Sequence, residues 1–487
     1  MTRREFIKKM MYGTAFLLST GKLTGCRSLE VPAAQAPVQE PVRQAVSRSG
    51  PLQIRSDNPS IRHTYDNCGE CGGCQNFCQN TMDVFGRTTA GGEDACTYCG
   101  QCTIFCTRGA ITERFHYRQV SGAIAASDKI VIATTAPAIR VALGEMYGYP
   151  AGTNVEGRIV GAMKHIGVDH VLDATFGADL TVMEEAAELL KRLENGGNNP
   201  LPMFTSCCPA WVRYVRLFYP RLLPNLSTVK SPLLMQGVLA KTYFAQKMGI
   251  DPARIVSVAL TPCTAKKAEI LLAGMNSAGV KHGKTQMHDV DYALTTREIA
   301  YLLNSSNVNF DEMPDAPYGD LMGTGSGAGM IFGNTGGVME AALRTAYRFL
   351  NGRNPPAKFF NLTSVRGLES VRRATVDMGR RTLNVAVVHG TGNLRPFLDS
   401  IQNGAANYDF VEVMACAGGC IGGGGQPVTA MNPVELKRLR KNGLYHHDNN
   451  SAIRVSYDNP QIKAIYRDFL GEPMGDKAKR LLHTYHV

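Results

Sequence analysis

Fourteen cysteines carry most of the chemistry that this 487-residue sequence can do, and their spacing says more than their number. Eight fall in two compact runs: Cys68, Cys71, Cys74 and Cys78, then Cys96, Cys99, Cys102 and Cys106. Five more follow at Cys207, Cys208, Cys263, Cys416 and Cys420, and one stands alone at Cys26. Disulfide frameworks belong to small secreted domains with little core. A long chain that is 44% hydrophobic can build a large core, so thiolate ligation of metal is the better reading. Each run reads Cys-x2-Cys-x2-Cys-x3-Cys, the spacing for two 4Fe–4S clusters. Tight loops let three thiolates of a run converge on one cube while the fourth reaches the other. By that rule Cys68, Cys71, Cys74 and Cys106 hold one cluster, and Cys96, Cys99, Cys102 and Cys78 the other. Zinc knuckles would want four ligands per site in paired Cys-x2-Cys units, often with His, and fit poorly. Pro usually follows each fourth cysteine; here Gln79 and Thr107 do, which alters the turn and not the ligand set. Clusters alone only carry electrons, so a reaction must lie elsewhere.

The other five cysteines occupy three motifs. They are Thr205-Ser206-Cys207-Cys208-Pro209-Ala210-Trp211, Thr261-Pro262-Cys263-Thr264-Ala265-Lys266-Lys267-Ala268-Glu269, and Glu412-Val413-Met414-Ala415-Cys416-Ala417-Gly418-Gly419-Cys420-Ile421 with a Gly-rich run after it. Together, and in this order, they resemble the three signatures of the FeFe (iron-only) hydrogenase family. The resemblance runs from the paired cysteine motifs to the segment Phe469–Tyr485. It implies reversible oxidation of dihydrogen to protons and electrons at an H-cluster, a 4Fe–4S cube bridged by cysteine to a diiron unit with carbonyl, cyanide and dithiolate ligands. Carried over by position, Cys208, Cys263, Cys416 and Cys420 hold this centre, with Cys420 as the bridge.

The same resemblance assigns further roles. Cys207 becomes the acid/base that exchanges a proton with the diiron bridge. Lys266 pairs with a cyanide ligand, Ala136 and Pro137, with Ala138 beside them, border the other cyanide, and Ser231 contacts that second cyanide. Thr261, Phe332 and Met414 border the cofactor. Glu185, Glu188 and Arg192, with Ser227, match a proton relay towards Cys207. By spacing alone Glu188 and Arg192 read as an ordinary i,i+4 surface pair. Glycines around Cys416 and Cys420 are expected to let backbone approach a bulky inorganic ligand; a phosphate cradle would need a closing Gly-Lys-Ser/Thr that is missing. Thr261 and Leu233 stand where the family commonly has Met and Gln, which should tune the diiron surroundings.

These residues need a scaffold. From about residue 128 short apolar runs of strand type, 129–134, 170–176, 254–260, 383–389 and 410–414, alternate with helical spacing at 180–194 and 338–350. Such alternation predicts an α/β catalytic domain at 128–470, two lobes with mainly parallel sheets flanked by helices, with functional loops at the carboxyl ends of strands. A small α+β ferredoxin-like domain at 63–120 precedes it. A tail at 471–487 resembles a small subunit that some relatives carry separately, so no separate copy should be required.

The N-terminus reads as targeting. Residues 1–26 have a charged start with Arg3-Arg4, a short apolar run and a small-residue exit, a signal peptide resembling the twin-arginine type that exports folded proteins through the Tat machinery. Leu23-Thr24-Gly25-Cys26 also resembles a lipoprotein cleavage site, which would put a lipid anchor on Cys26; a plain cleavable signal is the alternative. Residues 27–62, rich in Pro, Ala, Gln and Ser, read as a disordered tether. The expected location is therefore periplasmic, or anchored on the outer face of the cytoplasmic membrane. The net charge of +11 does not imply nucleic acid, since residues 1–60 contribute +5 and 431–487 contribute +4, leaving no basic stripe on the body. Expected partners are dihydrogen and protons, maturation proteins for the diiron unit, and an electron carrier: cytochrome c if exported, ferredoxin if not. Two rival readings remain, a hydrogen sensor with slow turnover and a noncatalytic iron–sulfur protein of the assembly type.

Overall fold

The structure, a computed structural model, describes residues 51–195 and 200–486. The leader with its Arg-Arg pair and Cys26, and the tether up to residue 50, lie outside the described residues. The tether was expected to reach residue 62, but Leu52 and Ile61 are buried and Ile61–His63 forms strand β1. The apolar residues Leu52, Ile54 and Ile61 pack around the thiols of the cysteine-rich lobe, which ties this stretch to it.

β1 pairs antiparallel with β2 (Ile111–Glu113), and the two cysteine runs lie between them in sequence. Beyond this lobe stand two four-stranded sheets. The first has the order β4-β3-β6-β7, built from β3 (Ile130–Thr135), β4 (His170–Asp173), β6 (Ile255–Thr261) and β7 (Tyr292–Thr295), all parallel. The second has the order β5-β10-β9-β8, from β5 (Met203–Phe204), β8 (Val371–Asp377), β9 (Thr382–His389) and β10 (Phe410–Met414). There β10 runs parallel to both neighbours and only β8 is antiparallel. Central strands such as β3 and β10 are buried along almost their whole length, as parallel strands covered on both faces by helices must be.

Six helices matter for the site: α1 (Ala174–Asn195), α2 (Pro209–Phe218), α3 (Pro232–Leu239), α4 (Gly337–Asn351), α5 (Pro433–Asn450) and α6 (Asp476–Leu482). Local chemistry fixes where they start. Asp173 accepts a bond from the Thr175 N–H at 2.9 Å at the head of α1, satisfying a donor that the first turn leaves free. Pro209 and Pro232 open α2 and α3 at the position where a missing N–H costs nothing, which makes Cys208 and Ser231 the capping residues. α1 packs against both α3 and α4, and one end of it lies beside the carboxyl edges of the sheets.

Candidate active site

The loops that follow β3, β5, β6 and β10 all open on one cavity. Ala136 and Pro137 come from the loop after β3, Cys207 and Cys208 from that after β5, Cys263 and Lys266 from that after β6, and Cys416 and Cys420 from that after β10. Thr261, Phe332, Met414 and Leu233 line the same space. Four cysteines separated by up to more than two hundred residues are thus brought to one enclosure between two sheets. Ser231 is buried beside it with a hydroxyl that has no hydrogen-bond partner, and it is not part of the lining. Glu185, Glu188, Arg192 and Ser227 lie outside the lining as well, behind Cys207.

Burial governs the protonation of these thiols. Cys208, Cys263, Cys416 and Cys420 are all raised, first by burial and then, for most of them, by one another; Cys420 is pushed up to about 12. Four thiolates cannot share such a space without compensating positive charge. Iron supplies it, so the donor set fits a thiolate-bound iron–sulfur centre. Backbone supports the sulfurs: the Ala415 N–H lies 3.5 Å from Cys208 Sγ, and Gln101 Nε2 donates to Cys416 Sγ at 3.3 Å.

Gly419 and Gly423 of the Gly-rich loop line the cavity, and the loop also brings backbone against backbone. The room a Cβ would need at Gly419 is taken by the Thr335 N at 2.7 Å, and φ there is +88°. A Cβ on Gly424 would collide with the Cys99 carbonyl oxygen. These glycines let backbone approach backbone, holding Cys420 in place and seating the cysteine-rich lobe against the cavity wall.

Lys266 sits on that wall with its ammonium 2.5 Å from Glu269 Oε2 and 3.3 Å from the Cys207 carbonyl oxygen. Burial opposes its charge, but Glu269 and the thiols of Cys263 and Cys207 outweigh burial and hold it above the ordinary lysine value. Glu269 was quoted in the motif without a role; its position three residues after Lys266 on a short helix was the available signal.

Behind the cavity a chain of acidic groups begins at Cys207. Its thiol is held protonated by burial, then by the nearby Glu185, against the pull of Lys266. Glu185 is 1% exposed, and neither of its carboxyl oxygens has a hydrogen-bond partner. Burial, with the charge of Glu188 second, pushes it up to about 8. Glu188 and Arg192 form no surface pair: both are buried, with Arg192 Nη2 2.5 Å from Glu188 Oε1. α1 turns this face towards the segment before α3, where Ser227 Oγ and the Thr228 N–H each donate to Glu188 Oε2 at 3.0 Å.

The cysteine-rich lobe places its thiols in two groups. Cys78 is raised to about 12 by burial and then by Cys99 and Cys96, while Cys74 is raised by burial and then by Cys106 and Cys71. Cys78 thus lies near Cys99 and Cys96 of the second run, and Cys106 near Cys74 of the first. Cys68 and Cys71 lie towards solvent, and Cys71 is exposed. Cys102 is buried, and Cys99 packs with Cys208 and Cys263 against Ala210, Ala265 and Ala415. Hydrogen bonds lock the lobe there: Thr264 Oγ1 to the Tyr98 carbonyl at 2.7 Å, Gln101 Nε2 to the Gly422 carbonyl at 2.9 Å, and Arg297 bridging Glu113 at 2.7 Å and Thr103 at 2.9 Å. Gln101 and Cys416 are 315 residues apart, so no local pattern pairs them.

A fold of two mainly parallel sheets, with thiols converging between their carboxyl edges and a second thiol-rich lobe docked beside them, defines an iron–sulfur oxidoreductase. Comparison with known proteins makes this specific. Residues 129–424 match the family described as iron only hydrogenase large subunit, C-terminal domain, and residues 434–487 match iron hydrogenase small subunit. The small-subunit match begins upstream of the boundary expected at 471. The chain is 40% identical over 446 residues, 88% of its length and 74% of the relative's, to the NADP-reducing hydrogenase subunit HndD of Solidesulfovibrio fructosivorans. It is 45% identical over 297 residues, 61% of its length and 68% of the relative's, to the periplasmic Fe hydrogenase large subunit of Nitratidesulfovibrio vulgaris. A structure of the apo FeFe-hydrogenase HydA1 from Chlamydomonas reinhardtii superposes with a TM-score of 0.67 at 37% identity, covering 77% of this chain and 99% of that one. More distant similarity, 29% over 407 residues (81% of this chain, 83% of the relative), reaches the cytosolic iron-sulfur assembly component 3 of Bos taurus. The chain belongs to the iron-only (FeFe) hydrogenase family, whose H-cluster chemistry makes it an oxidoreductase acting on dihydrogen.

Proposed function

We propose that the chain catalyses reversible oxidation of dihydrogen and relays the electrons through two 4Fe–4S clusters in its cysteine-rich lobe. The observation that carries this is the meeting of Cys208, Cys263, Cys416 and Cys420 with Cys207 and Lys266 at one cavity. When bound, the cube and its diiron unit supply the site where dihydrogen is split and its electrons collected. Cys208, Cys263, Cys416 and Cys420 would hold the centre, and Cys420 would be the thiolate shared between its two parts. Lys266 offers a compact cation with three donors to one anionic ligand, and Ser231, whose hydroxyl has no hydrogen-bond partner, would serve the other, beside Ala136 and Pro137. Ala136, Pro137, Thr261, Phe332 and Met414 shape an enclosure with little polar surface, which keeps water out.

Protons move on side chains. Glu185, a neutral acid near pH 7, gives its proton to Glu188 through the Ser227 hydroxyl, and the Cys207 thiol then passes its proton to the Glu185 carboxylate so formed and regains one from the cavity; Arg192 fixes Glu188. Electrons leave by way of Cys416 and Cys99, whose loops touch, and reach solvent near Cys71. The acceptor is a low-potential carrier, cytochrome c or ferredoxin. A twin-arginine leader, with Cys26 as a lipid site, would favour the former at the outer face of the cytoplasmic membrane.

Anaerobically matured protein should oxidise hydrogen with a viologen dye and display infrared bands of bound carbonyl and cyanide. A full set of bands without turnover would favour a hydrogen sensor. Absence of the bands after maturation would favour the assembly-type reading, which the similarity to iron-sulfur assembly component 3 keeps in view.

A further inference from the structure

The relay as drawn stops at a dead end. Arg192 is the far neighbour of Glu188, yet a guanidinium does not release its proton in proteins. Its Nη atoms are also covered by the carbonyl oxygens of Asn225 at 3.1 Å and Leu226 at 2.7 Å. Glu188 must therefore hand protons to something else.

The C-terminal tail supplies a candidate. After α6 it pairs with the segment before α3: the Lys230 N–H donates to Leu482 O at 2.8 Å, and the Thr484 N–H to Thr228 O at 2.7 Å. This pairing sets His483 between two carboxylates of α1. Nδ1 of His483 is 2.8 Å from Thr228 Oγ1, and the same hydroxyl lies 3.1 Å from Glu188 Oε2. On the other side, Nε2 of His483 is 3.0 Å from Glu184 Oε2. Glu184 is anchored by the Tyr466 O–H at 2.5 Å and the Met474 N–H at 2.7 Å. Exposure is 1% at Glu185, 2% at Glu188 and 9% at His483, with the Thr228 bridge half-buried between the last two.

We propose that His483, backed by Glu184, accepts the proton from Glu188 through the Thr228 hydroxyl, so that the C-terminal tail is a working part of the proton relay. The inference rests on the relay reading of Glu188 given above. A hydroxyl has one hydrogen to donate and two lone pairs, so the bridge has two polarities. With a proton on Glu188, its O–H donates to Thr228, and Thr228 donates to Nδ1 of a neutral imidazole whose Nε2–H faces the Glu184 carboxylate. Transfer breaks the Glu188 O–H bond and forms a new one at Thr228 Oγ1, while the former Thr228 proton bonds to Nδ1. The products are a Glu188 carboxylate, an intact hydroxyl, and an imidazolium paired with Glu184. No electron moves, and the reverse sequence feeds protons inward. The charged and titratable groups facing His483 are Glu184, Glu188 with Arg192 behind it, and Tyr466 through Glu184; His486 of the tail lies beyond, on the Ser227 carbonyl at 3.1 Å.

The test uses matured holoenzyme carrying Thr228→Val, Thr228→Ser, His483→Gln or Glu188→Gln. Expected are a kcat for hydrogen uptake about tenfold or more lower in T228V and H483Q, an unchanged KM for hydrogen, a larger solvent deuterium isotope effect, and recovery in T228S. Infrared bands of the metal ligands should stay in place, while the carboxyl stretch of Glu188 shifts when the hydroxyl is removed. Native kcat and isotope effect in T228V and H483Q, with E188Q slow, would overturn the tail's role and leave the relay standing. Equal slowing in T228V and T228S would also overturn it, since the hydroxyl would then not matter. Native turnover in E188Q would remove the relay reading and the tail's role with it.

Discussion

Replacement of Glu185 by Gln tests the claim that a neutral carboxylic acid stands behind Cys207 at neutral pH. Burial, with Glu188 second, raises this acid from 4.5 to about 8. Between those two values the folded protein keeps a proton that the unfolded chain has released. Native stability then falls as pH rises, by about 1.4 kcal/mol per pH unit, or about 5 kcal/mol across the window. Below pH 4.5 the contribution is fully present, and above about 8 it is lost. Gln has the same shape and no titration. E185Q should therefore melt at a temperature that gains on the native protein steadily from pH 5 to pH 8 and then levels. The native protein should display a carboxylic-acid C=O stretch at pH 7 that disappears near pH 8 and is missing in E185Q. Hydrogen uptake by E185Q should drop by about two to four orders of magnitude, the worth of a positioned proton carrier, with carbonyl and cyanide bands unmoved. A melting difference independent of pH, or a carboxylate signature already present at pH 6, would refute the burial argument. Near-native turnover in E185Q would refute the relay through this residue even if the titration behaved as described.

Three other perturbations probe other parts of the site. Cys207→Ala should keep iron content and the infrared bands, because this thiol holds no metal, yet cut hydrogen uptake by about two orders of magnitude or more; loss of the bands would make Cys207 a ligand. Cys78→Ser should remove the cluster nearest the cavity and Cys106→Ser the outer one, since each lies near the other run; iron counts and electron paramagnetic resonance that tie each loss to its own run would contradict the crossed arrangement. Gly424→Ala forces a Cβ against the Cys99 carbonyl and Gly100, at a cost of about 1–3 kcal/mol, and should push the cysteine-rich lobe away. Dye-linked turnover should fall severalfold while hydrogen–deuterium exchange at the active site persists, and equal loss of both would mean the damage lies in the cavity.

The difference between what the sequence disclosed and what it hid follows the range of the interactions. Cluster ligands are expected at short spacings, because one loop must present three sulfurs to one cube, so the eight cysteines of the lobe stand out in the sequence as candidates. Buried parallel strands are nearly as plain: the run 410–414 is β10 to the residue. The run 170–176 overshot, since Ala174-Thr175-Phe176 is apolar enough for either state and Asp173, by capping Thr175, starts α1 there. β8 escaped notice because it is an edge strand with alternating exposed residues, among them Arg373 and Asp377. The central cavity could be assembled from sequence only by resemblance, for nothing local joins Cys208 to Cys416.

Burial of Glu188 and Arg192 belongs with what spacing alone hid. Their i,i+4 spacing is common to surface pairs and to buried ones, and only the carbonyls of Asn225 and Leu226 folding over Arg192 decide which this is. Once the pair is buried, its chemistry changes. A surface carboxylate trades protons with water, whereas Glu188 can trade only with the side chains that touch it. Those side chains come from α1 and the segment before α3, and the last residues of the chain reach Glu188 through the Thr228 hydroxyl. A proton path at this site is therefore a property of tertiary packing, and the tail that resembles a detachable subunit completes the hydrogen-bonded contact from which Glu188 can exchange protons.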